Sequence, residues 1–180
     1  SIGYSYSVSG CIYKSENEVF RGCEVWLVHA LKGVFRSVSG EDGGFSFREL
    51  PFGEISLIAR APGYAIDGVS FWLVKNENIN IFLKKGIVQK IKIYDPNLSP
   101  LSGAEIKRIW INDKFCIPFD DIADRGYGRF RSNDTGEILV DNFPAEGFFR
   151  ILVSHIDFAD TYLPYFPISP SKPASVIMSR

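Results

Sequence analysis

Residues 40–64 read GEDGGFSFRELPFGEISLIARAPGY, and the stretch alternates turn, strand, turn, strand, turn. Asp42-Gly43-Gly44 signals a tight turn, because glycine takes φ > 0 without steric cost. Phe45 and Phe47 alternate with Ser46 and Arg48, which puts both rings on one face of a strand. Leu50-Pro51-Phe52-Gly53 breaks the chain. Ile55, Leu57 and Ala59 restart the alternation, and Pro62-Gly63-Tyr64 stops it.

The same grammar extends in both directions. Residues 1–5 read as a frayed lead-in, and residues 8–13 as a first strand. A polar turn, Lys14 to Glu18, precedes a second strand within residues 22–30, with Val25 and Leu27 on one face. Lys32-Gly33 introduces a third over residues 34–39. Beyond Tyr64, residues 69–74 carry Trp72 and residues 79–83 close the series. Seven strands in about 80 residues, with turn signals every 8–12, is the spacing of an all-β sandwich. Apolar residues recur at i+2 and not at i+3 or i+4, so no helix is predicted.

Lys84-Lys85-Gly86 marks a boundary, after which the pattern begins again. Gly22-Cys23-Glu24-Val25 matches Gly103-Ala104-Glu105-Ile106. Leu50-Pro51-Phe52-Gly53 matches Phe143-Pro144-Ala145-Glu146-Gly147, and Asp42-Gly43 matches Thr135-Gly136. Ala61-Pro62-Gly63-Tyr64 matches His155-Ile156-Asp157-Phe158 more loosely. Between these matches the second copy carries about a dozen additional residues, within the segment INDKFCIPFDDIADRGYGR at 111–129. Two domains are expected, residues 6–84 and 87–180.

The 180 residues carry a formal charge of -1 and no basic stripe. Phosphate contacts need clustered Lys and Arg, so a nucleic-acid partner is not expected. Aromatic residues make up 14% of the chain, which suits pleated, half-buried surfaces. No apolar run approaches the roughly 20 residues of a membrane helix. Cys11, Cys23 and Cys116 have no zinc spacing. Cys23 shares parity with Val25 and Leu27, whereas Cys11 is out of phase with Val8 and Ile12, and opposite faces argue against a bridge. Asn97-Leu98-Ser99 and Asn133-Asp134-Thr135 are glycosylation triplets in predicted turns, meaningful only in a eukaryotic secretory route.

With the copies side by side, each resembles a carboxypeptidase regulatory-like domain, the transthyretin-like (prealbumin-like) β-sandwich. The family pattern runs V-x-G-x-V-x-D, a turn ending in Pro, Gly-Ala, a Val-rich strand, Asp-Gly, aromatic-x-aromatic, Leu-Pro-x-Gly, a strand, then Gly-Tyr. The first copy supplies Val8, Gly10, Ile12, Gly22, Asp42-Gly43, Phe45-Ser46-Phe47, Leu50-Pro51, Gly53 and Gly63-Tyr64. Lys14 and Val19 stand where the pattern has Asp and Pro. The second supplies Ile93, Asp95, Pro100, Gly103-Ala104, Gly136, Phe143-Pro144 and Gly147, without Asp-Gly proper or Gly-Tyr. The resemblance implies two tandem seven-stranded transthyretin-like β-sandwiches. It implies a non-catalytic structural or protein-interaction module of a larger secreted or cell-surface protein, partnered by neighbouring domains or another protein. Every matched residue is a turn or core residue, so the match speaks to fold and not to chemistry.

Enzymes on related sandwiches have signatures that this chain lacks. Hydroxyisourate hydrolases end in Tyr-Arg-Gly-Ser and use several histidines, whereas this chain ends Val176-Ile177-Met178-Ser179-Arg180. Intradiol dioxygenases hold iron with two Tyr and two His. Here His29 and His155 are isolated near predicted strand ends and make no ligand set. Pilin-type modules that form a Lys–Asn isopeptide carry a proton-shuttling Glu where this chain has Ala59, so no isopeptide is expected in the first copy. No enzyme activity, metal or cofactor is expected.

Recognition is placed instead on the 111–129 insertion, because loops on a rigid scaffold carry function. Asp113, Asp120, Asp121 and Asp124, with Asn112, supply oxygens of the kind Ca²⁺ takes. Their spacing resembles no calcium loop, and solvated charges are expected. Trp110, Phe115, Phe119 and Tyr127 form either a binding patch or, as favoured here, a mini-core that pins the loop. The candidate binding loop is therefore Trp110, Phe115, Phe119, Asp120, Asp121, Asp124 and Tyr127. An alternative is a carbohydrate-binding or adhesion module using Trp72, Trp110 and Tyr127, if those rings prove coplanar and exposed. Pro164, Pro167, Pro170 and Pro173 recur every third residue, the period of a polyproline II helix. An extended connection with a proline-blunted edge is the expectation there.

Overall fold

The computed structural model describes residue 3 and residues 5–180; residues 1, 2 and 4, part of the expected lead-in, lie outside the described residues. The chain is all-β and divides into two compact units, the first ending at Lys85 and the second Gly86–Arg180.

The first unit contains β1 (Tyr6–Ser15), β2 (Glu18–Val19), β3 (Glu24–His29), β4 (Gly33–Val38), β5 (Gly44–Leu50), β6 (Gly53–Arg60), β7 (Asp67–Leu73) and β8 (Glu77–Phe82). In one sheet β1 pairs antiparallel with β2 and β5 and parallel with β8. The other sheet runs β4–β3–β6–β7, antiparallel throughout and without a register shift. Strand parity explains the layering. Val25 and Leu27 on β3 and Ile55, Leu57 and Ala59 on β6 turn inward. They meet Val8 and Ile12 of β1 and Phe45 and Phe47 of β5 in one buried cluster.

The second unit contains β9 (Ile87–Tyr94), β10 (Glu105–Ile111), β11 (Phe115–Ile117), α1 (Phe119–Ile122), a 3₁₀ turn (Ala123–Arg125), β12 (Glu137–Phe143), β13 (Phe148–His155), β14 (Phe158–Tyr162), β15 (Phe166–Pro167) and β16 (Ala174–Ile177). Its sheets are β12–β9–β16 and β11–β10–β13–β14, with β15 added to β13. β16 runs parallel to β9 as β8 does to β1. Among the described residues each unit holds eight strands where the sequence predicts seven. The additional ones, β2 and β15, are two residues long, too short for alternation to show. The proline run is an extended connection. Phe166–Pro167 pairs with β13, and Ser169 Oγ then closes a turn by accepting from the Ser171 and Lys172 N–H groups. The three-residue period therefore does not continue as one helix. None of Cys11, Cys23 and Cys116 is in a disulfide. Burial pushes the Cys23 thiol up to about 12, and its S–H donates to the Arg60 carbonyl at 3.3 Å.

The repeat extends to individual hydrogen bonds. Gly43 (φ 75°) and Gly136 (φ 72°) occupy the same turn, and their carbonyls accept from Ile12 and Ile93. A Cβ at either would lie 2.7 Å from the Ile12 oxygen or 2.5 Å from the Ile93 oxygen, so both the φ and the close approach call for glycine. Ser39 and Ser132, both buried, make matching sets of bonds. Ser39 N–H donates to Cys23 O (2.8 Å) and its carbonyl accepts from Gly22 (2.9 Å). Its Oγ accepts from Cys23 N–H (2.9 Å) and donates to Phe20 O. Ser132 does the same with Ala104 O (2.8 Å), Gly103 N–H (2.9 Å), Ala104 N–H (2.9 Å) and Leu101 O (2.6 Å).

Removing either hydroxyl leaves one buried N–H and one carbonyl unpaired. Ser39→Ala and Ser132→Ala should therefore each lower stability by about 1–3 kcal/mol. Urea unfolding followed by NMR should place the loss in the unit that carries the substitution. Unchanged midpoints for both variants would show that the hydroxyls are not needed.

Candidate functional site

The insertion is built outward from β10. Asn112 and Asp113 both take positive φ, 53° and 50°, and Lys114 N–H closes the turn on Ile111 O at 2.9 Å. Asn and Asp are the non-glycine residues that tolerate this conformation best. The chain returns as β11, which pairs with only Ile109, Trp110 and Ile111. After Pro118 comes one turn of α-helix, α1, where the sequence predicts none. Four residues are too few for a 3.6-residue period to register; Phe119 and Ile122, three apart, are its only repeat and both are buried.

The candidate loop residues separate into three groups. Phe115, Phe119 and Tyr127 are buried. Phe119 meets Tyr127 and Phe130 edge-on, with ring centroids 5.6 and 5.5 Å apart. The aspartates pair with arginines. Arg108 Nε donates to Asp120 at 3.1 Å and its Nη2 lies 3.7 Å from Asp121. Arg129 bonds Asp124 and holds its carboxyl below the usual range. Among the described residues, no three His, Cys, Asp or Glu gather in a metal-holding group.

Trp110 stands apart on the outer face of β10, where β13 and β14 supply its neighbours. Arg150 is its cross-strand partner on β13. The Arg150 guanidinium carbon lies 5.5 Å from the Trp110 ring centroid, 5.6 Å from Tyr162 and 5.2 Å from Tyr165. Trp110 and Tyr162 meet edge to face, 5.4 Å apart at 71°. Arg150 donates to the Tyr162 hydroxyl, and its Nη2 is 3.4 Å from Asp113. The Tyr165 hydroxyl donates to the other Asp113 oxygen at 2.6 Å, and this bond holds its proton above the usual tyrosine range. Sequence reading named Trp110 and missed Arg150, Tyr162 and Tyr165. For Arg150 and Tyr162 the available signal was outward parity on β13 and β14, but the pairing that brings them to Trp110 is nonlocal; Tyr165 lies between β14 and β15 and has no such parity.

Glu105 was also missed. It starts β10, nearly buried, among Arg129, Arg131 and Lys107. Burial pushes its pKa up. The bonds from Arg129 and Arg131 and the nearby cations outweigh that, leaving it below the usual carboxylate range. Glu24 holds the matching place on β3. Arg36 donates to one oxygen at 3.0 and 2.7 Å, and Arg60 to the other at 2.6 Å.

The two histidines close turns. His29 Nδ1 accepts from Leu31 and Lys32 N–H at 3.0 and 3.2 Å, which places the proton on Nε2, 3.0 Å from Pro51 O. His155 Nδ1 likewise accepts from Asp157 N–H at 3.1 Å and Nε2 faces Ser102 O at 3.0 Å. In the first unit Trp72 is 58% exposed, beside Phe52 at 53%, with centroids 5.5 Å apart and planes tilted 39°.

No family model matches the chain. No curated protein matches it. Among solved structures it is similar to a streptococcal ancillary pilin, with a TM-score of 0.45 and 14% identity over 100% of this chain and 63% of that one. The chain therefore spans less than two thirds of that pilin's length. It is similar to a shaft pilin of Lactobacillus rhamnosus GG, with a TM-score of 0.40 and 10% identity over 98% and 97% of the two chains. A catechol 1,2-dioxygenase from Acinetobacter sp. ADP1 gives a TM-score of 0.41 and 9% identity over 47% of this chain and 54% of that one. At these TM-scores the likenesses carry no argument about function.

Because Glu105 is depressed when folded, its pairing stabilises the second unit above the unfolded carboxylate pKa and is lost as pH falls through the folded value. Glu105→Gln should cost about 1–3 kcal/mol at pH 7, with the gap to wild type narrowing as pH falls below about 4. Urea unfolding across that range checks it; a pH-independent gap would mean that charge is not the source.

Proposed function

We propose that the chain is a non-catalytic structural or protein-interaction module of a larger extracellular or cell-envelope protein. We assign its halves, residues 6–84 and 87–180, to tandem carboxypeptidase regulatory-like, transthyretin-like sandwiches. The observation that carries the reading is where the reactive side chains are spent. Both histidines use Nδ1 to close a turn and Nε2 to bond a distant main-chain carbonyl, and the best-buried glutamates hold arginines on neighbouring segments. What the second unit turns outward is a set of aromatic and guanidinium groups, the chemistry of protein contact. Among the described residues no helix is long and apolar enough to cross a membrane.

Carbohydrate binding is a second reading, and Trp72 beside Phe52 is the observation in its favour. Of the three rings named for it, Tyr127 is buried and Trp110 stands edge-on to Tyr162.

The module reading expects trypsin to cut at Lys84-Lys85 and leave two halves that each unfold cooperatively. It expects neutral oligosaccharides to give no saturable heat by calorimetry. Saturable sugar binding abolished by Trp72→Ala would replace it with the second reading. Halves that unfold once cut would overturn the two-domain assignment.

A further inference from the structure

The outer face of β11–β10–β13–β14 presents Trp110, Arg150, Tyr162 and Tyr165 as one interlocked group, and Phe148 adds a ring 54% exposed on the same side of β13. Trp, Tyr and Arg are the residues that dominate binding hot spots. Here they are already fixed against one another by an edge-to-face contact, two hydroxyl bonds and an ion pair. Less rotamer entropy therefore remains to be lost on binding. The rings do not form a flat shelf, because Trp110 and Tyr162 stand edge to face at 71°. A sugar ring has no plane to stack on there.

The depth of the charges gives the partner its sign. The Arg150 side chain is 26% exposed, and the Asp113 carboxylate that pairs with it is 56% exposed. Arg108, on the same side of β10, is 37% exposed, between Asp120 at 35% and Asp121 at 47%. Asp160, two residues before Tyr162 on β14, is exposed as well. Arg150 lies deepest, and Asp113, Asp120, Asp121 and Asp160 outnumber the two arginines, so an approaching molecule meets phenol oxygens, rings and an excess of carboxylates. Aromatic faces and carboxylates both attract guanidinium and ammonium groups. We propose that this face docks a protein segment presenting Arg or Lys side chains. The proposal rests on the protein-interaction reading and names the surface and the partner's charge.

The test uses three capped octapeptides, alternating Gly with Arg, with Lys or with Glu, titrated into the full chain at low salt. The readout is NMR of the aromatic rings and the Arg150 side chain. The Arg and Lys peptides should saturate, with shifts centred on Trp110, Tyr162 and Tyr165, and the Glu peptide should not. Tyr162→Ala should weaken binding at least about fivefold. Asp113→Asn, at the exposed hairpin tip where folding is not at stake, should do the same, and Trp72→Ala should leave binding unchanged. Absence of saturable shifts would overturn the proposal, as would equal binding of the Glu peptide. An unchanged affinity in Asp113→Asn, or a neutral oligosaccharide shifting the same rings, would also overturn it. A negative result removes this face alone, because the module reading is judged by proteolysis and calorimetry.

Discussion

A buried serine hydroxyl closes each unit at the same point. Ser39 and Ser132 tie the segment entering β5 or β12 to the turn that starts β3 or β10, through matching sets of four bonds. Buried main-chain groups must find partners, and here one side chain satisfies two of them where no strand ladder reaches. With that junction fixed, the chain leaves from and returns to equivalent places in both units. The route between can then vary. In the first unit it is the plain β3–β4 hairpin; in the second it is β11, α1 and the 3₁₀ turn. The entropy of closing a loop grows only slowly with its length. A dozen more residues are therefore tolerable while both ends are held.

The glutamates beside these junctions show how the loop ends are secured electrostatically. Glu24 meets its arginines from the strands on either side, Arg36 on β4 and Arg60 on β6. In the second unit a serine, Ser154, stands opposite Glu105 on β13. Its arginines come instead from Arg129 and Arg131, at the returning end of the insertion. The same carboxylate is kept and its partners are drawn from the new segment. This exchange pins the insertion at its base, while Phe119, Tyr127 and Phe130 pin its middle.

Much of the frame was legible in the sequence because it is local. Gly43 and Gly136, the Phe45/Phe47 alternation and the Pro51 and Pro144 breaks each act over a few residues. The repeat followed from them. Elements of two to four residues, β2, β15 and α1, fall below the length at which a period can be read. Ser39 and Ser132 went unnoticed because serine is common in turns and nothing local marks one as buried. Glu105 was seen as part of a match, but its arginines lie more than twenty positions away. The site divided for the same reason. Spacing collected Trp110 and Tyr127 into one loop, whereas the fold buries Tyr127 against Phe119 and leaves Trp110 on the outer face of β10 beside Arg150.

That division changes where recognition belongs. A loop whose aromatic rings are buried has no ring to offer a ligand, and β11 uses its length to cover the edge of β10. The residue at its border behaves differently. Trp110 lies on a strand that is paired on both sides, by β11 and by β13, so its backbone is held more firmly than any loop tip. Arg150 and Tyr162 reach it from strands of the same sheet. Groups positioned by regular strands keep their geometry when a partner arrives, which is what a binding surface needs and a long loop seldom provides. The insertion contributes carboxylates to that face: Asp113 at the hairpin turn holds Arg150 and Tyr165 together, and Asp120 and Asp121 pair with Arg108.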